Sequence, residues 1–202
     1  LKAPAHRIIA LAPHVTELLF AAGAGRRLAG VDHYSDFPPA AAGITEVGDA
    51  GHADLERILG LRPDLVVAWK SGNSAGDVAH LERLGIPVFV TEPRKLADIA
   101  RLLRELGRLA GSQEMAERAA ADFERRLAQL ARRYQGGRAV PVFYQIWHQP
   151  LMTVNGAHMI ANVIRLCGGR NVFESLPALT PVVGAESLLG FDPEVIIASV
   201  SA

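Results

Sequence analysis

The sequence predicts an α/β protein of two lobes, each built on a parallel sheet, joined by a long helix. Three observations predict it. Short β-branched runs alternate with helical patterns up to residue 94 and again after residue 136, the alternation that builds parallel sheets. Between these regions lie two consecutive helical segments with no strand. Finally, LERILGLRPDLVVAW at 55–69 returns as AESLLGFDPEVIIAS at 185–199. Glu56, Leu59, Gly60, Pro63 and Ala68 are matched there by Glu186, Leu189, Gly190, Pro193 and Ala198. The chain therefore divides into a first lobe at 1–94, linking helices at 95–136 and a second lobe at 137–202.

In the first lobe RIIALAP (7–13), RLAGVDHY (27–34), DLVVAW (64–69) and PVFVTE (87–92) read as strands. VTELLFAAG (15–23), LERILGL (55–61) and DVAHLERLG (77–85) read as helices. Gly23, Gly60 and Gly85 each follow a helical stretch, where a left-handed cap suits glycine. Pro63 and Pro87 then bar the helix from resuming. LADIARLLRELGRLAG forms the first linking helix, and Ser112 is a candidate N-cap for the second. In that second helix Met115, Ala119, Phe123, Leu127, Leu130 and Tyr134 recur at spacings of three and four, opposite Glu117, Glu124, Arg125, Arg132 and Arg133. At ~22 residues it would be ~33 Å long, enough to bridge two lobes.

After QGGR (135–138) the pattern resumes with the strand PVFYQIW (141–147), the helix HMIANVIRLCGG (158–169) and the repeated phrase. That phrase spells one helix, one glycine, one proline and one buried strand. Pseudo-symmetry and coincidence both explain it, since the grammar is common in α/β chains. The first lobe continues beyond Trp69, whereas the chain stops soon after Ser199. The second lobe thus reads as incomplete, lacking ~30 residues of a further βα repeat.

Lys and Arg total 21, as do Asp and Glu, so no concentrated basic surface marks nucleic acid or anionic membrane as the main partner. No apolar run reaches the ~20 residues of a membrane span, and LKAPAHRIIAL lacks the apolar core of a secretory signal. Cys167 is the single cysteine, expected as a buried structural thiol. There is no G-x-x-x-x-G-K-[ST] loop and no G-x-S-x-G elbow. AAGAG (21–25) follows a helix and reads as a cap. No catalytic residue is assigned.

In open parallel sheets ligands bind beyond the carboxyl ends of strands. Tyr34, Trp69 and Trp147 sit at such exits, either facing a shared cleft or closing each core. His33, His52, His148 and His158 lie in or beside loops without a tight metal motif, and His14 decorates a helix start. Glu56 and Glu186 stand in the first turns of helices, where the macrodipole favours a carboxylate. A two-fold symmetric partner would find them at equivalent points.

LAPHVTELLFAAG, GVDHYSDFPPAA, DLERILGLRPDLVVAWKSGN, LMTVNG and LCGGRNVF give the chain its family likeness. It resembles the cobalamin-binding branch of the class III periplasmic solute-binding proteins, the receptors of ABC importers for vitamin B12, haem and siderophores. The resemblance implies two Rossmann-like lobes joined by a rigid backbone helix, the helical-backbone metal-receptor type. It implies capture of a corrinoid, cobalamin first, in the cleft between lobes, and delivery to a permease dimer in the inner membrane. Tyr34, Trp69 and Trp147 would contact the corrin ring. Glu56 and Glu186 would meet permease arginines. The protein would be a monomeric, non-enzymatic, periplasmic or lipid-anchored receptor, its signal peptide absent from this chain, with no covalent cofactor and no metal site. The cysteine of the CGG stretch often pairs with one near the C-terminus in this branch.

The chain also departs from the family pattern. Around Asp49, Ala50, Gly51 and His52, where a tryptophan is usual, it offers small and polar residues, so Asp49 and His52 stand as the ligand contacts there. Thr180 replaces another expected tryptophan, and the corrin grip should be weaker or rearranged. A haem or iron-siderophore receptor fits the same architecture. So does a cytosolic corrin- or metal-handling enzyme, or a metal-ion receptor using His33, His52 and His148.

Overall fold

The computed structural model describes residues 3–49, 51–134 and 136–198. Ala50, Gln135 and Ser199, each part of a motif above, lie outside the described residues. The chain forms two compact units: Leu1–Pro93 with Ile99–Phe123, and Arg94–Asp98 with Glu124–Ala202. The linking helices are thus shared between the units.

The first unit holds β1 (Ile8–Ala10), α1 (Pro13–Ala21), β2 (Leu28–Val31), α2 (Leu55–Gly60), β3 (Leu65–Trp69), α3 (Ala75–Arg83) and β4 (Val88–Thr91). Its strands are parallel in the order β2-β1-β3-β4. Successive strand residues point to opposite faces, and both faces are covered. Ile8, Ala10, Leu65 and Val67 pack with Val15 and Leu19 of α1 and with Leu103 and Leu106. Ile9, Val66 and Ala68 pack instead with Ile58 of α2 and Leu81 of α3. Burial on both sides explains why these strands read as continuous apolar runs.

Two long helices follow, α4 (Leu96–Ala110) and α5 (Gln113–Tyr134). The expected stripe on α5 holds in part: Ala119 and Phe123 pack half-buried against the core and Ala116 and Ala120 are fully buried, while Met115, Leu130 and Tyr134 are exposed. The cause is the close approach of α4, where a Cβ on Gly107 would lie 2.2 Å from that of Ala116. Only small residues fit such a contact, so Ala116 occupies it and the bulky Met115 beside it is left exposed. Ser112 precedes the helix, but its buried hydroxyl makes no hydrogen bond and is not a side-chain cap.

The second unit holds β5 (Val140–Gln145), β6 (Trp147–His148), β7 (Leu151–Met152), α6 (Met159–Leu166), β8 (Gly169–Asn171), α7 (Ala185–Phe191) and β9 (Val195–Ala198). β8-β5-β9 form a parallel sheet, and β6 and β7 an antiparallel hairpin. Its core gathers Phe143, Val172 and Phe173. Cys167, expected to be buried, is an exposed free thiol just past α6. It is the residue that ends α6, and among the described residues its side chain is left exposed.

The order β2-β1-β3 is repeated as β8-β5-β9, which places the two copies of the repeated phrase at equivalent positions. In each copy the left-handed residue is the one before proline, Arg62 (φ 48°) and Asp192 (φ 44°). Gly60 and Gly190 lie inside their helices instead, so the expected glycine cap at Gly60 is displaced by two residues. The next amide then joins the neighbouring strand in both: Asp64 donates to the Arg7 carbonyl and Glu194 to that of Pro141, each at 3.0 Å.

Candidate functional site

The carboxyl ends of β1, β2 and β3 carry the aromatic and ionisable residues of the first unit. β2 ends at Val31, and the buried Asp32 begins a turn whose crest is Tyr34, 65% exposed. The Asp32 carboxylate accepts the Tyr34 amide at 2.9 Å. Burial pushes the Asp32 carboxyl up from its ordinary value, against the pull of that amide. Its other oxygen, Oδ2, is buried with no partner. His33 meets the Tyr34 ring edge-on, with centroids 5.0 Å apart. His33 Nδ1 lies 2.7 Å from Glu46, and that hydrogen bond raises the imidazole above its ordinary value.

Trp69 is the last residue of β3 and is half-buried. Its amide donates to Asn73 Oδ1 at 2.6 Å, and Asn73 Nδ2 donates to the Leu11 carbonyl at 2.8 Å. Gly72 lies against the indole, since a Cβ there would stand 1.8 Å from the ring. His14 meets the indole edge-on at 5.3 Å between centroids. Burial lowers the His14 imidazole from its ordinary value, opposed by Glu92, and its Nε2 has no partner.

A cavity of about 640 Å³ opens beside the Tyr34 turn, lined among others by His33, Glu46, Asp49, His52, Glu56 and Arg57. The structure thus brings together Asp49 and His52, expected as ligand contacts, with Glu56, expected as a docking residue. Asp49 Oδ1 accepts the amides of Gly51 and His52, each at 2.9 Å, and so shapes the loop. Glu56 is exposed in the first turn of α2, which Asp54 caps. Trp69 lines a different, smaller depression of about 150 Å³ with Asn73 and Val78.

In the second unit Trp147 is 49% exposed and lies in the β6–β7 hairpin, not at the end of β5. Its Nε1 donates to the Gln149 carbonyl at 3.0 Å, and its ring tilts over His148. Glu186 is exposed in the first turn of α7. His158 Nδ1 accepts the Ile160 amide and caps α6. Among the described residues no three His, Cys, Asp or Glu side chains gather as a metal site. Of the three histidines weighed for one, His33 and His52 share a cavity while His148 belongs to the hairpin.

Sequence reasoning passed over Asp32 and Asn73 and took His14 only as a helix-start residue. An acid directly after a buried strand, next to the Tyr-Ser-Asp turn, was the available signal for Asp32. A histidine and an asparagine at two neighbouring strand exits were the signal for the other pair.

A family model described as periplasmic binding protein matches residues 8–201. The vitamin B12-binding protein of Vibrio cholerae serotype O1 is 37% identical over 196 residues, which are 97% of this chain and 71% of that protein. That of Pectobacterium carotovorum subsp. carotovorum is 38% identical over 193 residues, 95% of this chain and 70% of its own. The crystal structure of the periplasmic vitamin B12 binding protein BtuF of Vibrio cholerae superposes with a TM-score of 0.91 at 37% identity, covering 98% of this chain and 77% of that one. The periplasmic heme-binding protein RhuT from Roseiflexus sp. RS-1 shares the fold, with a TM-score of 0.85 at 23% identity over 96% of this chain and 76% of its own.

Proposed function

Because the chain belongs to the periplasmic binding protein family, we propose that it is the substrate-binding component of an ABC importer and that its ligand is a corrinoid, cobalamin first. The observation that carries this reading is identity of 37% along 97% of the chain to vitamin B12-binding proteins. The site chemistry agrees with it. A corrin is a broad, largely apolar plate with an amide-bearing rim. Tyr34 offers a ring that the fold leaves mostly exposed, on a turn fixed by hydrogen bonds. Covering such a ring is worth on the order of 2–3 kcal/mol at about 25 cal/mol per Å². Trp69 adds an indole, and Trp147 of the other unit offers another. Asp49 and His52 supply an acceptor and a donor for rim amides.

The role is capture without chemistry, in the periplasm or from a lipid anchor on the outer face of the membrane, by a monomer. Glu56 and Glu186, exposed at equivalent helix starts, are the carboxylates that meet basic side chains of the permease.

Calorimetric titration of the purified chain with cyanocobalamin, and in parallel with haem, tests the ligand. Saturable binding of cyanocobalamin in preference to haem is expected. Binding of haem with no heat from cyanocobalamin would overturn the corrinoid assignment in favour of a haem receptor.

A further inference from the structure

The turn that presents Tyr34 is fastened from below by side chains that no ligand contact explains. Asp32 is 2% exposed, and its amide donates to the Ala10 carbonyl at 2.9 Å, tying the turn to β1. Its carbonyl accepts the Ser35 amide at 3.0 Å, and its Oδ1 accepts the Tyr34 amide at 2.9 Å. Ser35, also buried, shares a hydrogen bond of 2.8 Å with the hydroxyl of Thr16, which is buried on α1. The His33 amide donates to the Gly48 carbonyl at 2.8 Å. The crest of the turn therefore has little freedom, although the Tyr34 side chain stands in solvent.

One atom in this arrangement is out of place for a purely structural turn. Asp32 Oδ2 is sealed from solvent with no donor, and a buried polar atom without a partner opposes folding. An apolar residue would spare the fold that cost but leave the Tyr34 amide without an acceptor. We infer that Asp32 is a positioning residue for ligand binding, holding Tyr34 in the orientation the ligand meets, with the Thr16–Ser35 pair as a second fastening. The inference rests on the corrinoid reading above. Asp32 itself touches no ligand. It acts through the Tyr34 backbone, so rigid presentation of the ring is established before the ligand arrives.

The test is a double-mutant cycle read by cyanocobalamin titration, with hydrogen exchange at the Tyr34 amide measured on the ligand-free chain. Asp32→Ala is expected to weaken binding about 10-fold, the loss that accompanies a missing hydrogen bond to an ordered group. Asp32→Asn, whose amide oxygen still accepts, should stay within about twofold of the unaltered chain. Asp32→Ala should add nothing in a Tyr34→Ala background. Tyr34 exchange should quicken in Asp32→Ala and not in Asp32→Asn. Unchanged affinity, additive losses, or an Asn variant as weak as the Ala variant would overturn the inference. Should Asp32→Ala fail to fold, Ser35→Ala takes its place in the cycle, with the same non-additivity expected. Failure of the unaltered chain to bind cyanocobalamin overturns the functional reading, whereas binding with additive losses overturns only the role of Asp32.

Discussion

Trp69 shows how its neighbours fix a single side chain. The ring of His14, the backbone of Gly72 and the hydrogen bond from its own amide to Asn73 Oδ1 hold it, leaving part of the indole free. Gly72→Ala would drive a methyl group into the ring. Overpacking of this kind costs about 1–3 kcal/mol, so we expect a lower urea midpoint together with altered tryptophan emission. His14 and His158, both half-buried, are lowered by that burial from their ordinary value of 6.5. Each takes up a proton less readily in the folded chain than in the unfolded chain, which does so as pH falls through 6.5. Their contribution is full above that value and is lost on acidification toward the lowered values. His33 runs the other way: its raised value favours the fold below 6.5 and that gain is lost as pH rises, but the pair with Glu46 is exposed and weak. Stability should therefore fall from about pH 7 to pH 5.5, less steeply in His14→Gln. A denaturation series across that range measures it. The sequence marked Tyr34 and Trp69 through their strand exits. It did not mark Asp32 and read His14 as no more than a helix start, because the Ala10 carbonyl that holds the Asp32 amide and the Trp69 ring that meets His14 come from neighbouring strands.

At the scale of elements, α/β alternation placed every strand of the first unit and the three helices between them, because buried parallel strands and amphipathic helices write different periods. β8 and the β6–β7 hairpin escaped. Gly169–Asn171 has no apolar run, and two-residue strands have no period to read. The face of α5 was legible at Ala119 and Phe123, which pack on the core, but not at Ala116, because size and not hydropathy decides a contact as close as that with Gly107. The repeated phrase is realised as one device used in two units, with its left-handed residue occupied by Arg62 and Asp192. An L residue there sits about 1–2 kcal/mol above glycine in this conformation, offset by the larger entropy of an unfolded glycine. Arg62→Gly should raise stability by up to about 1 kcal/mol, seen as a higher denaturant midpoint. A fall would mean that the Arg62 side chain has a packing role.

For the whole molecule, equivalence between the two units gives each one exposed carboxylate at a helix start, Glu56 on α2 and Glu186 on α7. Helix stabilisation alone would make both dispensable to transport. Under the docking role, reversing both to Lys abolishes uptake in cells while cobalamin affinity in solution is unchanged. If affinity falls together with uptake, the two residues serve the ligand and not the permease. The cavity shared by Glu56, Asp49 and His52 makes this separation informative.

The central claim is that fixed aromatic side chains at strand exits hold a corrinoid. Its most direct measurement is the cyanocobalamin affinity of the unaltered chain against Tyr34→Ala and Trp69→Ala. A loss of at least about 30-fold in each is expected for buried aromatic anchors, with the far-ultraviolet circular dichroism unchanged. Affinity equal to that of the unaltered chain in both variants, with their fold intact, would contradict it.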